Sequence, residues 1–316
     1  MFAVITNHIP LPLFNISYSI YSVSLFILVA GMTSVVSFSK PNFQYIPYLK
    51  KKFFPLLGWY FISLTLYILI EQHFLSFNFF IHELRTFGLE VSNGHLYFLA
   101  FYIELMLIAP FIVKMYLCQN ANIFKNLFLV FLAFLLSLFF YHYTHIEGLA
   151  LGSRYAFGGS YFFILNLGIF FWINVRKFFT STLSNVSGLI LSILLFIFFF
   201  QKKYIDLSWS NPPNHFAIFY TCIIFSFLFC LHNLLTTLFD KLHLKPETIL
   251  SPILIVGRNS LYIYLFHMII VDIIDNFYIP GTVFNKLLAN TGCLYLPILL
   301  IYIIRKLTEK IKATAF

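Results

Sequence analysis

Charge is what this sequence has least of. Aspartate, glutamate, lysine and arginine together make 10% of its 316 residues, where a soluble domain carries about 25%. Acid is the scarcer sign, eleven residues against twenty basic ones, for a net charge of +9. The basic residues are spread between apolar runs instead of forming one patch, which argues against a nucleic-acid surface. Cysteine is sparse too. Cys118, Cys222, Cys230 and Cys293 lie in apolar stretches with no CxxC or Cys/His spacing, so neither a metal centre nor a disulfide framework is expected, and they read as small packing residues. The opening MFAVITNHIPLPLF lacks a basic n-region and a small-residue cleavage site, so no cleavable signal peptide is expected. Also missing are an internal repeat and any long hydrophilic stretch; the longest external connection expected, about 71–94, is short. Chemistry therefore belongs to the helices themselves.

Aromatics and aliphatics fill the space that charge leaves. The chain is 60% hydrophobic and 21% aromatic, with 43 phenylalanines, more than one water-excluded core can hide, so lipid must solvate much of the surface. Apolar stretches near twenty residues suffice to cross about 30 Å of hydrocarbon. They fall at 1–15, 17–37, 53–70, 95–113, 126–144, 158–175, 183–200, 214–235, 250–274 and 292–304. This predicts an all-α polytopic transmembrane bundle of about ten helices, forming a single domain over 1–316. Fourteen lysines and arginines, among them Lys40, Lys50, Lys51, Lys52, Arg176, Lys177, Lys241 and Lys245, fall on one side. Five, including Arg85, Arg154 and Lys202, fall on the other. The asymmetry predicts that both termini are cytoplasmic.

Polar residues inside such a bundle are costly unless used or paired. His8, in VITNHIPLP, is either an interfacial histidine or a proton acceptor near neutral pH. In NGHLYFLAFYIELMLIAP, His95 and Glu104 lie nine residues apart, about 13–14 Å along a helix. They are too distant to pair with each other, and Glu104 serves either function or a polar clamp. The cluster Lys50, Lys51, Lys52 is either positive-inside anchoring or a cradle for a polyanionic cytoplasmic ligand. Arg154, in a glycine-rich external connection, contacts a ligand or caps a carboxylate. In VGRNSLYIYLFH, Arg258, Asn259 and Ser260 open the ninth span, and Ser260, Tyr264 and His267 share one helical face, a polar stripe turned into the bundle.

Five fragments, in order along the chain, resemble the acyltransferase 3 family of integral-membrane enzymes that acylate sugars of bacterial surface polysaccharides and lipids. VGRNSLYIYLFH is similar to its late-helix pattern. NGHLYFLAFYIELMLIAP is similar to its "HLWFL" helix, with Tyr97 where tryptophan is usual. SLFILVAGM (24–32) resembles the end of its second helix, YLKKKFFPLLGWY its basic entry to the third, and NPPNHFAIFY (211–220) a "YPP…Y" segment. The resemblance implies a catalytic histidine on the first helix, at His8, acting on an acceptor hydroxyl or carrying the acyl group briefly. It implies an acyl-CoA co-substrate, most simply acetyl-CoA, whose phosphates meet Lys50, Lys51, Lys52 or Arg258, with no bound cofactor. The acceptor is expected to be a cell-surface polysaccharide or lipid-linked sugar, with His95, Glu104, Arg154, Asn259, Ser260, Tyr264 and His267 lining the cavity. Membrane lipid is the expected environment and a bacterial inner membrane the expected location. The acidic residue and arginine usual upstream of that histidine have no counterpart in MFAVITN, so the first helix is expected to be shortened.

Two other functions compete. A transporter or flippase of lipid-linked sugars or small solutes predicts mid-membrane carboxylates, for which Glu104 qualifies, and paired interrupted helices, of which the sequence shows no repeat. A polysaccharide polymerase predicts a large arginine-rich external loop, and none is present.

Overall fold

The computed structural model describes residues 5, 9, 21–72, 76–85, 96–118, 122–144, 159, 161–201, 213–276 and 282–314. Most of those residues are helical, with no strand among them. They divide into two compact units, Val23–Leu238 and Met1–Ser22 with Phe239–Phe316.

The first unit holds α1 (Ser22–Phe38), α2 (Phe54–Gln72), α3 (Phe77–Arg85), α4 (Tyr97–Tyr116), α5 (Ile123–Thr144), α6 (Tyr161–Phe170), α7 (Thr182–Gln201) and most of α8 (His215–Lys241). Helices stand where hydropathy placed the second to fifth, seventh and eighth spans. The sixth ends differently: α6 runs into a π-helical turn, Phe171–Val175, and then a 3-10 turn, Arg176–Phe178. The external connection expected at 71–94 contains α3. Ser76 starts it, its hydroxyl accepting from the Phe79 amide at 3.4 Å, a side-chain cap of the usual kind.

Small residues bring α1 and α6 together. A Cβ on Gly31 would overlap the Leu165 carbonyl oxygen, and one on Gly168 would overlap that of Leu28. The two backbones therefore touch reciprocally, the packing that membrane helices adopt when apolar burial against lipid offers no gain. Amides lock the neighbouring helices. Asn126 on α5 donates to Asn174 Oδ1 at 3.2 Å, and the Tyr116 hydroxyl on α4 donates to Asn166 Oδ1 at 3.2 Å. Asn233 on α8 donates to Asn185 Oδ1 on α7 at 3.0 Å. By contrast α5 and α7 leave Phe128, Phe131, Phe139, Leu191 and Leu194 exposed, surface that hydrocarbon solvates without penalty.

The second unit holds α9 (Ser251–Arg258), α10 (Ser260–Asn276) and α11 (Val283–Thr314). The ninth span, expected as one helix over 250–274, is broken: α9 and α10 meet at 83°. Asn259 sits at the bend with φ −108° and ψ 14°. Its side-chain amide donates to the Ile255 carbonyl at 2.9 Å, competing with the backbone for a helical acceptor. The tenth span starts at Val283 instead of near 292. Asn285, Lys286, Asn290 and Thr291 dilute hydropathy there, yet a helix forms: Thr282 caps the Asn285 amide at 3.2 Å, and Asn290 and Thr291 donate to the Lys286 and Leu287 carbonyls, each at 2.8 Å.

Among the described residues, Tyr45–Ile70, Thr182–Phe199, His215–Lys241 and Val283–Ile304 are long and apolar enough to cross a membrane, and the bent α9–α10 pair adds one more if it forms a single span. The chain is an all-helical membrane protein.

Candidate functional site

The polar stripe expected in VGRNSLYIYLFH divides at the bend. Arg258 ends α9 and is exposed, Asn259 occupies the corner, and Ser260 opens α10 half-buried. Tyr264 and His267 lie deeper, at 4% and 0% exposure. His267 Nδ1 is 2.8 Å from the Tyr264 carbonyl oxygen. A carbonyl only accepts, so Nδ1 carries the proton of the neutral ring and Nε2 is left as its basic nitrogen.

One stripe of α11 gathers the rest of this unit's chemistry. Cys293 Sγ lies 3.9 Å from the His267 carbonyl. Asn290, three residues earlier and so on the same face, is 1% exposed. Its amide donates to the Ile9 carbonyl at 3.1 Å and to the Lys286 carbonyl at 2.8 Å. Ile9 in turn closes a helical turn onto Ile5 at 3.0 Å. The residue that follows His8 in sequence and the α10 turn at His267 are thus both tied to α11. His8 itself, His95 and Arg154 lie outside the described residues.

Lys50, Lys51 and Lys52 sit exposed on a π-helical turn, Leu49–Phe53, ahead of α2. The turn is anchored through a defect in α4. Pro110 lies inside that helix and brings no N–H, so the Met106 carbonyl loses its usual donor. The Tyr48 hydroxyl supplies one at 3.3 Å, and Tyr45 donates to the next carbonyl, Leu107, at 3.2 Å. Glu104, on the same helix, is half-buried with Oε2 shielded from solvent.

Two features of the structure lie outside the intramembrane polar residues that stand out in the sequence. Glu83, expected on an external connection, is completely buried on α3. A cleft of about 710 Å³ in the Val23–Leu238 unit is lined by Trp172, Arg176, Lys177, His232 and Asn233 over an apolar wall. No residue expected at the site lines it. The available signal was the RKFF run after a span, read only as positive-inside charge.

No curated protein sequence and no solved structure matches the chain. The sequence model of the acyltransferase 3 family, described as an acyltransferase domain, matches residues 1–305, nearly the whole length over which membrane helices, the Lys50 turn and the His267 stripe are distributed. The chain is therefore a membrane acyltransferase and belongs to the acyltransferase 3 family.

Proposed function

We propose that this enzyme moves an acyl group, most simply acetyl, from cytoplasmic acyl-CoA to a hydroxyl of a cell-surface polysaccharide or lipid-linked sugar, in a bacterial inner membrane. The family match across residues 1–305 carries the reading. The lysine-rich loops support a cytoplasmic donor, and the tethering of Ile9 to α11 supports a fixed place for the segment bearing His8.

In this reading His8 removes the proton from the acceptor hydroxyl as its oxygen attacks the thioester carbonyl. The tetrahedral oxyanion collapses, the C–S bond breaks, and the CoA thiolate takes up the proton as the ester is released. Lys50, Lys51, Lys52 or Arg258 holds the donor phosphates by charge. The candidate acceptor contacts are Asn259, Ser260, Tyr264 and His267, with His95, Glu104 and Arg154 as further candidates.

The test uses full-length protein in nanodiscs with radiolabelled acetyl-CoA and a surface glycan acceptor. His8→Ala is expected to cut label transfer about 10²–10⁴-fold, the usual contribution of a general base. Transfer at the wild-type rate by a folded His8→Ala protein overturns the assignment of the base.

A further inference from the structure

The cleft of about 710 Å³ between α1, the end of α6 and α8 has the volume of a small-molecule site, roughly 300–1,000 Å³. Its lining has two chemistries. Arg176 and Lys177 are cationic and His232 and Asn233 polar, whereas Met32, Val29, Phe225 and Phe229 are apolar. No acidic residue lines it, and neither Arg176 nor Lys177 has a carboxylate partner among the described residues.

Arg176 is held in place. Its guanidinium lies 4.0 Å from the centre of the Trp172 ring, a stacked geometry that orders the side chain against the cleft wall. The π-helical turn Phe171–Val175 precedes it, and such turns tend to occur at functional sites. Two further lining residues, Phe179 and Asn233, are pinned through Asn185, which donates to the Phe179 carbonyl at 3.2 Å and accepts from Asn233 at 3.0 Å. Phe171, Phe225 and Phe229 pack edge to face at 4.8 and 4.9 Å. Arg176 is solvent-exposed, yet its guanidinium lies over the Trp172 indole beside the apolar part of the lining, a charge held where an anionic group can reach it.

We propose that the cleft holds one anionic phospholipid, its phosphate against Arg176, Lys177 and His232 and one acyl chain along Met32, Phe225 and Phe229. Basic pockets between helices at the cytoplasmic side suit such headgroups. The apolar trough suits a hydrocarbon chain, and offers little to the amide-rich arm of coenzyme A.

The full-length protein is incubated with phosphatidylglycerol or with phosphatidylcholine of the same chains, and retained lipid is counted by native mass spectrometry. Wild type is expected to keep one phosphatidylglycerol at least tenfold better than phosphatidylcholine. R176Q/K177Q is expected to lose that preference, and K241Q/K245Q, which removes two exposed lysines outside the cleft, to keep it. V29F narrows the trough without touching charge and is expected to reduce retention of the lipid, so the proposal stays testable if the double variant does not fold. Equal retention of both lipids, a preference that survives R176Q/K177Q, or displacement of the lipid by acyl-CoA with the same residue dependence overturns it.

Discussion

At the scale of single residues, the most consequential contacts are made by amides and hydroxyls. Asn290 reaches Ile9 across 281 positions of sequence. Asn290→Leu removes the donor and leaves a buried carbonyl unsatisfied, at a cost of about 1–3 kcal/mol. If Ile9 positions His8, acyl transfer falls about tenfold or more while the KM for the donor stays put; a shift in KM alone would place Asn290 outside the acceptor chemistry. Tyr48 has the complementary role at the lysine turn. Tyr48→Phe deprives the Met106 carbonyl of the donor that replaces the missing Pro110 amide, and the Lys50 turn loses an anchor. The expected outcome is a raised KM for acyl-CoA at unchanged kcat, with a lower unfolding midpoint in detergent. Unchanged values for both would mean that the lysine turn is held by other contacts. His267, Glu104 and the rest of the stripe were visible in the sequence because a polar or ionisable group in an apolar run stands out. Asn290 was not, because an asparagine followed by a threonine and a glycine reads as loop.

Among elements, the close contact of α1 and α6 separates two kinds of glycine. Gly168→Ala places a methyl where the Leu28 carbonyl stands and forces backbone apart, so a drop of about 1–3 kcal/mol in stability is expected, as for overpacking. Gly58→Ala, on α2 with nothing within 4 Å of the added Cβ, is expected to be neutral or to stabilise by up to about 1 kcal/mol through lower unfolded-state entropy. Thermal unfolding of both variants checks the pair, and equal midpoints would refute the close packing. Element positions were largely legible, because a span needs only a local sum of apolar residues. The break at Asn259 and the early start of α11 were not. Both depend on side chains satisfying carbonyls one turn back, which a hydropathy window counts only as polarity.

For the whole molecule, the lysine asymmetry predicts an orientation. In a protein whose four cysteines are replaced, Lys245→Cys is expected to react with a membrane-impermeant maleimide only from the cytoplasmic side, and Lys202→Cys only from outside. The reverse pattern overturns the orientation and with it the cytoplasmic donor. Sequence by itself determined the solvent, the helical class, most span positions and the family, because each is a local or additive property of composition and order. Tertiary structure decided which polar groups meet. Asn126 with Asn174 and Asn185 with Asn233, each 48 residues apart, Gly31 with the Leu165 carbonyl, and Asn290 with Ile9 are choices among many polar and small residues on apolar helices. In hydrocarbon every buried polar group needs a partner, but only the packing of the helices selects which one, and that same packing leaves a cationic cleft beside Arg176.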